Sequence, residues 1–440
     1  MTPKSCDTMV ALPPATTQRQ TLFAKNSDRP WDECQPLELH ERRHHESGTL
    51  TQCQFVTLPE VEVTWRHVGS RPWWCWGYEH GFNEHQVVIG NEGLASKFDA
   101  APEARLIGME ILRLGLERGR TAREAVDWMT RLISEYGQGK FDNDAGVRTY
   151  DNGYIVADPG EAFVIETAGH EWAVQHVDTA LGISNVYSVE TNYESVSTTA
   201  ESTARDRGWW NDADGKFSFA DAYSRNPRDE GSGAMRRRRS CAMLGARDGG
   251  IDTATMMALL RDHSDASEPN EPFRTDLTGK GICIHFDDGP KGGNTAASLV
   301  ADLCGDMTRL PIYWCSFYSP CQAPFFPVFL EGTLPDVLAK GGQHATPDSP
   351  WWRFLQLAHV VREDAPGRIE VVRTRWRELE AEFMRSAYPL AVEARQMFDT
   401  GDRSGAEERL SEYMADNVDR MMSVAEDLIT QFSATSVAAG

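Results

Sequence analysis

Apolar and polar positions follow two different periods along this chain. Cys6 to Leu12 is a mostly apolar run with polar residues at its start, which predicts a strand. Pro13 and Pro14 cannot donate to a ladder, so Pro13–Gln18 reads as a turn. Thr21 to Lys25 returns as a second strand and runs into Asn26–Pro30. Phe55 to Arg66 alternates apolar and polar residues (Val61, Val63, Trp65), which predicts another strand. Val87–Gly90 has buried-strand composition, with Asn91 at its end. Between Pro102 and Gly137 the period becomes helical: Leu106, Met109, Ile111, Leu112, Leu114 and Leu116 give one apolar face. Gly119 breaks it, Thr121–Glu124 forms a capping box, and Ala125, Val126, Met129, Leu132 and Ile133 continue as a second helix. Two helices joined so closely are expected to pack antiparallel over one sheet face.

The strand period then returns. Tyr154–Ala157, Ala162–Glu166, Trp172–Gln175 and Ala180–Ser184 predict successive antiparallel strands with tight turns, the last ending at Asn185. Glu190–Glu230 is polar and rich in Ser, Asp and Gly, and reads as an excursion with short helices. Ile282–Phe286, Asn294–Val300, Pro311–Cys315 and Phe325–Phe329 predict further strands. From Trp351 the chain turns helical, and Val371–Phe432 predicts two or three amphipathic helices with a break at Thr400–Asp402. These helices either pack on the main body or carry a dimer interface.

Composition narrows the function classes. A formal charge of −22 and a pI near 5.0 argue against nucleic acid or an anionic membrane as partner. No apolar run is long enough to span a bilayer. Nine cysteines, irregularly spaced and without a CxxC pair, fit a reducing cytoplasm and give no sequence support for a zinc site. No metal or cofactor is called for. His285 reads as a core-edge histidine rather than a general base, and Cys283, Cys315 and Cys321 as structural thiols.

One constellation carries chemistry. The predicted hairpin returns Lys25 and Asp28 to the side of Cys6. A thiol needs a base, or a lowered pKa, to attack an amide at neutral pH. An α-amino group, with a reference pKa of about 7.7–8.0, can serve as that base if Cys6 becomes the first residue. Met1–Ser5, short and polar, would then be a propeptide. Trp73, Trp74 and Trp76, around a Pro and a Gly, read either as a substrate-pocket wall or as core filling. Met235–Ser240 holds four adjacent arginines, read as one helix turn with an anion-site candidate among them.

Cys6-Asp7-Thr8 with Ala11–Ala15, then Ala24-Lys25-Asn26-Ser27-Asp28-Arg29-Pro30, resembles the opening of the secernin/dipeptidase family of N-terminal-nucleophile (Ntn) hydrolases. Gly81-Phe82-Asn83-Glu84 and Val88–Gly93 resemble its next block. Penicillin V acylase and bile salt hydrolase are more distant relatives with the same skeleton of positions. The resemblance implies an α+β, four-layer αββα sandwich of antiparallel sheets over residues 6–340, with a helical C-terminal extension at 341–440. It implies Cys6 as nucleophile, Asn91 as oxyanion donor, and Asn185 as the residue orienting nucleophile or substrate amide. Lys25 and Asp28 match an Arg and an Asp of the acylase relatives. Asp28 would hold the ammonium or thiol, and Lys25 would lower the thiol pKa. Arg236 is the best positional match to an active-site Arg, with the register among Arg236–Arg239 left open. The expected activity is hydrolysis of a linear amide, a dipeptide or N-acyl amino acid, through an acyl-enzyme. The alternative is a secernin-like protein with a modified N-terminal carbonyl or a non-catalytic interaction role.

Overall fold

The computed structural model describes residues 5–264, 281–285 and 293–438. Four residues of the expected propeptide, Met1–Lys4, and Phe286 of the strand expected at Ile282–Phe286 lie outside them. Cys6–Ala11 and Thr21–Pro30 form the expected hairpin, with Cys6 opposite Ser27 and Thr8 opposite Lys25. Every residue of the first strand is buried, which is why its sequence is a run and not an alternation.

The hairpin sits inside a six-stranded antiparallel sheet. Its order is Ala180–Ile183, Cys6–Ala11, Thr21–Pro30, Gly293–Leu303, Ile312–Phe317, Phe326–Val328. An eight-stranded antiparallel sheet runs Ser195–Val196, Glu171–His176, Ala162–Ala168, Asp151–Ala157, Val88–Leu94, His80–Asn83, His67–Ser70, Leu37–His40. Three of the four strands predicted between 154 and 185 are neighbours in this second sheet. The fourth, Ala180–Ile183, crosses to the first sheet and pairs with Cys6–Ala11, Ile183 opposite Thr8. That crossing carries Ser184 and Asn185 to the level of Asp7 and Cys6.

The sheets meet where Cys6–Ala11 packs against Val88–Leu94 and Asp151–Ala157. Gly90 makes the approach possible: a Cβ there would lie 2.8 Å from Lys25 Cδ and 3.0 Å from Phe23 Cζ. Helices Gly108–Arg118 and Ala122–Tyr136 cover the eight-stranded sheet, and helices Gly231–Gly245 and Thr253–Leu260 pack on the six-stranded one. Three C-terminal helices, Pro350–Arg362, Ala365–Asp399 and Arg403–Ala438, follow, with the break at the expected residues. They pack against Ile312–Phe317 and Phe326–Val328, and no described helix is long and apolar enough to cross a membrane. Trp351 ties them to the six-stranded sheet. Its indole donates to the carbonyl of Ala296 (2.8 Å), which stands at a register shift between Thr295 and Ala297.

Three sequence expectations are corrected. Phe55–Arg66 is not one strand. It splits into Thr57–Pro59 and Val63–Thr64, because Pro59 offers no N–H to continue a ladder. The first helix begins at Gly108, not near Pro102. Ile282–His285 forms no strand, only a bridge from His285 to Asn294.

Candidate active site

A cavity of about 340 Å³ opens at the end of the hairpin, lined by Cys6, Asp28, Asn91 and Asn185 among the expected residues. The Cys6 backbone N–H donates to Asn185 Oδ1 at 2.8 Å, and the Asp28 N–H donates to Cys6 Sγ at 3.3 Å. Asn185 is held in turn. Its Nδ2 donates to the Gly93 carbonyl (3.0 Å), and its Oδ1 also accepts from Arg236 Nη2 (2.6 Å). Arg236 is buried, with Nε on Asp7 Oδ2 (2.9 Å) and Nη2 on Ser184 Oγ (2.9 Å). Ser184 passes the chain back to the nucleophile by donating to the Cys6 carbonyl (3.1 Å).

The helix face decides which arginine enters. Gly233, Arg236, Ser240 and Leu244 share the buried face at helical spacing. Gly233 lets the helix approach, since a Cβ there would lie 2.8 Å from the Asn185 carbonyl. The flanking arginines go elsewhere: Arg238 is exposed and donates to the Asp229 carbonyl, and Arg239 pairs with Asp262.

Burial pushes the Cys6 thiol well above its ordinary pKa. Lys25 pulls against this, while Glu92, Glu79 and Asp28 push the same way. The expected lowering by Lys25 is therefore present but outweighed. Lys25 is also committed: its Nζ donates to the Asn91 carbonyl and lies 3.5 Å from Glu92, both side chains fully buried. Burial favours its neutral form, but Cys6 when ionised, with Glu92, Glu79 and Asp28, outweighs that and pushes its pKa up. A protonated thiol needs a base at the moment of attack. Asp28 is raised by burial, against the Thr295 hydroxyl that donates to its Oδ1 (2.6 Å) and the charge of Arg236. Its Oδ2 forms no hydrogen bond of good geometry among the described residues, though the Ser5 hydroxyl stands near enough to help hold the pKa down.

Asn91 lies inside its strand, which runs on to Leu94, and not at the strand's end. Its amide is 3.0 Å from that of Asn152. Turned so that its N–H groups meet acceptors, it donates to the Glu79 carbonyl (2.8 Å) and Oε2 (3.1 Å). Glu79, Asn91 and Asn152 thus form a polar row along the cavity wall.

Trp73, Trp74 and Trp76 do not line this cavity. Trp73 packs on the main core, and Trp76 stacks under Arg113 (4.0 Å to the ring centre) beside a different hollow. Trp74 stands behind the wall, with the Arg148 guanidinium 5.3 Å from its ring centre.

Sequence reasoning missed Arg29, Glu79, Arg148, Tyr150 and Asn152, all lining the cavity. Asp151-Asn152-Gly153 opening an apolar strand was a usable signal, because both polar residues are buried there. Arg29 is paired with Glu33 (2.6 Å) and Glu79 (3.0 Å). Arg148, half-buried, donates to the Tyr150 hydroxyl (2.7 Å) and has no carboxylate at ion-pair distance among the described residues.

Residues 79–237 match the model of peptidase family C69. The recognition of a dipeptidase-like family is borne out by that match. The C69 segment includes Glu79, Asn91, Arg148, Asn152, Asn185 and Arg236, while Cys6, Lys25 and Asp28 precede it. The match supports a cysteine-type hydrolase of amide or peptide bonds. Among solved structures, the chain is similar to a mutant of conjugated bile acid hydrolase from Clostridium perfringens, at 11% identity and a TM-score of 0.42 over 78% of this chain and 98% of that one. It is similar to penicillin V acylase from Agrobacterium tumefaciens, at 14% identity and a TM-score of 0.39 over 77% and 89%. At TM-scores this low, neither likeness bears on substrate or mechanism.

Proposed function

We propose that this chain is a self-processing N-terminal cysteine amidohydrolase that cleaves dipeptides or N-acyl amino acids. The observation that carries the reading is the backbone nitrogen of Cys6. It is held by Asn185 at 2.8 Å inside a cavity, with its own thiol beside it. Cleavage between Ser5 and Cys6 would turn that nitrogen into an α-amine, already seated and next to a thiol that burial keeps protonated. The amine takes the thiol proton as sulfur attacks, and returns it to the leaving amine. Water then resolves the acyl-enzyme with the same amine as base. Asp28 Oδ2, without a hydrogen bond of good geometry among the described residues, would receive the ammonium.

Asn152, whose Nδ2 has no partner among the described residues, would supply the oxyanion hole from the cavity wall, and Asn91 would join it by releasing one of its N–H groups from Glu79. Asn185 would fix the direction of the amine, and Arg236 would fix Asn185. Lys25 would hold the Asn91 backbone in place through the carbonyl it bonds. The helix and sheet contacts support the order helices, eight-stranded sheet, six-stranded sheet, helices, which is a four-layer αββα sandwich. Residues 341–440 would be an extension docked on the last strands.

Arg148 supports the substrate class. It is a cation at the cavity with no carboxylate at ion-pair distance among the described residues, Glu110 acting on it only from farther off, and both dipeptides and N-acyl amino acids carry a carboxylate near the scissile amide. Arg148→Gln is expected to raise KM for such substrates by about 10–100-fold with much less change in kcat. Assays of matched dipeptides with a free or an amidated C-terminus check this. Equal cleavage of both by the parent enzyme would contradict the proposed substrate class.

A further inference from the structure

A second group of reactive side chains lies outside the Cys6 cavity. His263 follows helix Thr253–Leu260, Cys283 and His285 lie on the segment 281–285, and Cys321 follows strand Ile312–Phe317. One donor atom from each of the four lies within 4.8 Å of all the others. His285 Nε2 is 3.3 Å from His263 Nε2, 3.4 Å from Cys283 Sγ and 3.1 Å from Cys321 Sγ. A ring nitrogen has one proton or one lone pair, so it cannot satisfy three such neighbours. A shared cation can. Zinc bonds of about 2.0–2.1 Å to nitrogen and about 2.3 Å to sulfur place tetrahedral ligands about 3.3–3.8 Å apart. The three separations from His285 Nε2, 3.1 to 3.4 Å, lie at or just below the short end of that span, and all four donor atoms lie within 4.8 Å of one another, close enough for one ion to draw them into its shell.

We propose that His263, Cys283, His285 and Cys321 bind one zinc ion in a closed, structural Cys2His2 site. Two thiolates cancel the charge of the dication, which suits a site where Cys283, His285 and Cys321 are buried. Binding releases the two thiol protons to solvent. With Nε2 as the ligand, His285 Nδ1 carries the hydrogen and faces Ser319 Oγ at 3.4 Å, the outer-shell contact that orients a metal-bound imidazole. Four protein ligands leave no position for a reacting water, so the role is structural.

The site stands directly behind the catalytic wall. Asn26 Nδ2 donates to the Leu260 (2.8 Å) and Ile282 (3.1 Å) carbonyls, clasping the segment from the hairpin side. The Ile284 N–H donates to Thr295 Oγ1 (3.0 Å), and that hydroxyl donates to Asp28. Zinc would fix the segment whose Ile284 N–H holds the Thr295 hydroxyl in place against Asp28. The sequence hides this set because its ligands come from three separated stretches, without the paired spacing of a zinc finger.

The test is metal analysis of the full-length chain purified without chelator, with reconstitution by zinc or cobalt(II). The expected result is one zinc per chain, and tetrahedral thiolate–cobalt bands in the visible spectrum after cobalt loading. Cys283→Ala and Cys321→Ala should lose the metal, while Cys315→Ala, a buried thiol outside the group, should keep it. If the first two variants fail to fold, the metal content and cobalt spectrum of the wild type still decide. A folded wild type that takes up neither metal would overturn the proposal. So would a mass short by two hydrogens that maps to a Cys283–Cys321 disulfide.

Discussion

Cys6→Ala is expected to lower turnover by about 10⁴-fold or more, and to leave Met1–Ser5 attached. Both effects follow from one atom. In the proposed mechanism the thiol is the nucleophile, placed between the Asp28 N–H (3.3 Å) and the backbone nitrogen that Asn185 holds. Removing it leaves the cavity with donors and acids but nothing to form an acyl-enzyme. The fold should survive, since Ala retains the β-strand pairing and loses only one buried sulfur. Circular dichroism and a urea melt separate the two readouts. Full activity in the variant would eliminate the mechanism.

Arg236→Met is expected to cost about 3–5 kcal/mol of stability, far more than any neighbouring arginine, and to suppress processing as well. Arg236 makes three side-chain hydrogen bonds in a buried setting, to Asp7, Ser184 and Asn185. Methionine fills much of the volume but leaves Asp7 without its counter-charge. Burial already raises Asp7, to about 7, with Arg236 as the main opposing influence, so the variant should keep that carboxyl protonated. Asn185 would also lose the donor that aims its Oδ1. Arg238→Met, on the exposed face, should stay within about 0.5 kcal/mol of the parent. Urea denaturation of the two variants side by side measures the difference, and equal midpoints would contradict the buried role.

The helix pair was legible because it repeats its period over several residues, and the hairpin and strand ladder because short apolar runs are bounded by turn residues. The crossing of Ala180–Ile183 into the other sheet was not, since a strand's alternation does not name its neighbour. That crossing is what brings Asn185 to Cys6. The choice among four arginines was partly readable: Gly233 and Ser240 stand three before and four after Arg236, marking the close-packed face. Arg148 was not readable, because its meaning lies in the carboxylate it lacks at ion-pair distance among the described residues. The metal-ligand cluster escaped for the same topological reason as the crossing strand. Cys321 meets Cys283 and His285 only once the strands around it are paired.

The central claim is that Cys6 acts as a free N-terminal residue. The intact mass of the purified chain, with sequencing of its N-terminus, tests it most directly. The account predicts a mass short of Met1–Ser5 and an unmodified cysteine at the front. A stable chain beginning at Met1 or Thr2, or a carbonyl in place of the Cys6 amine, would contradict it.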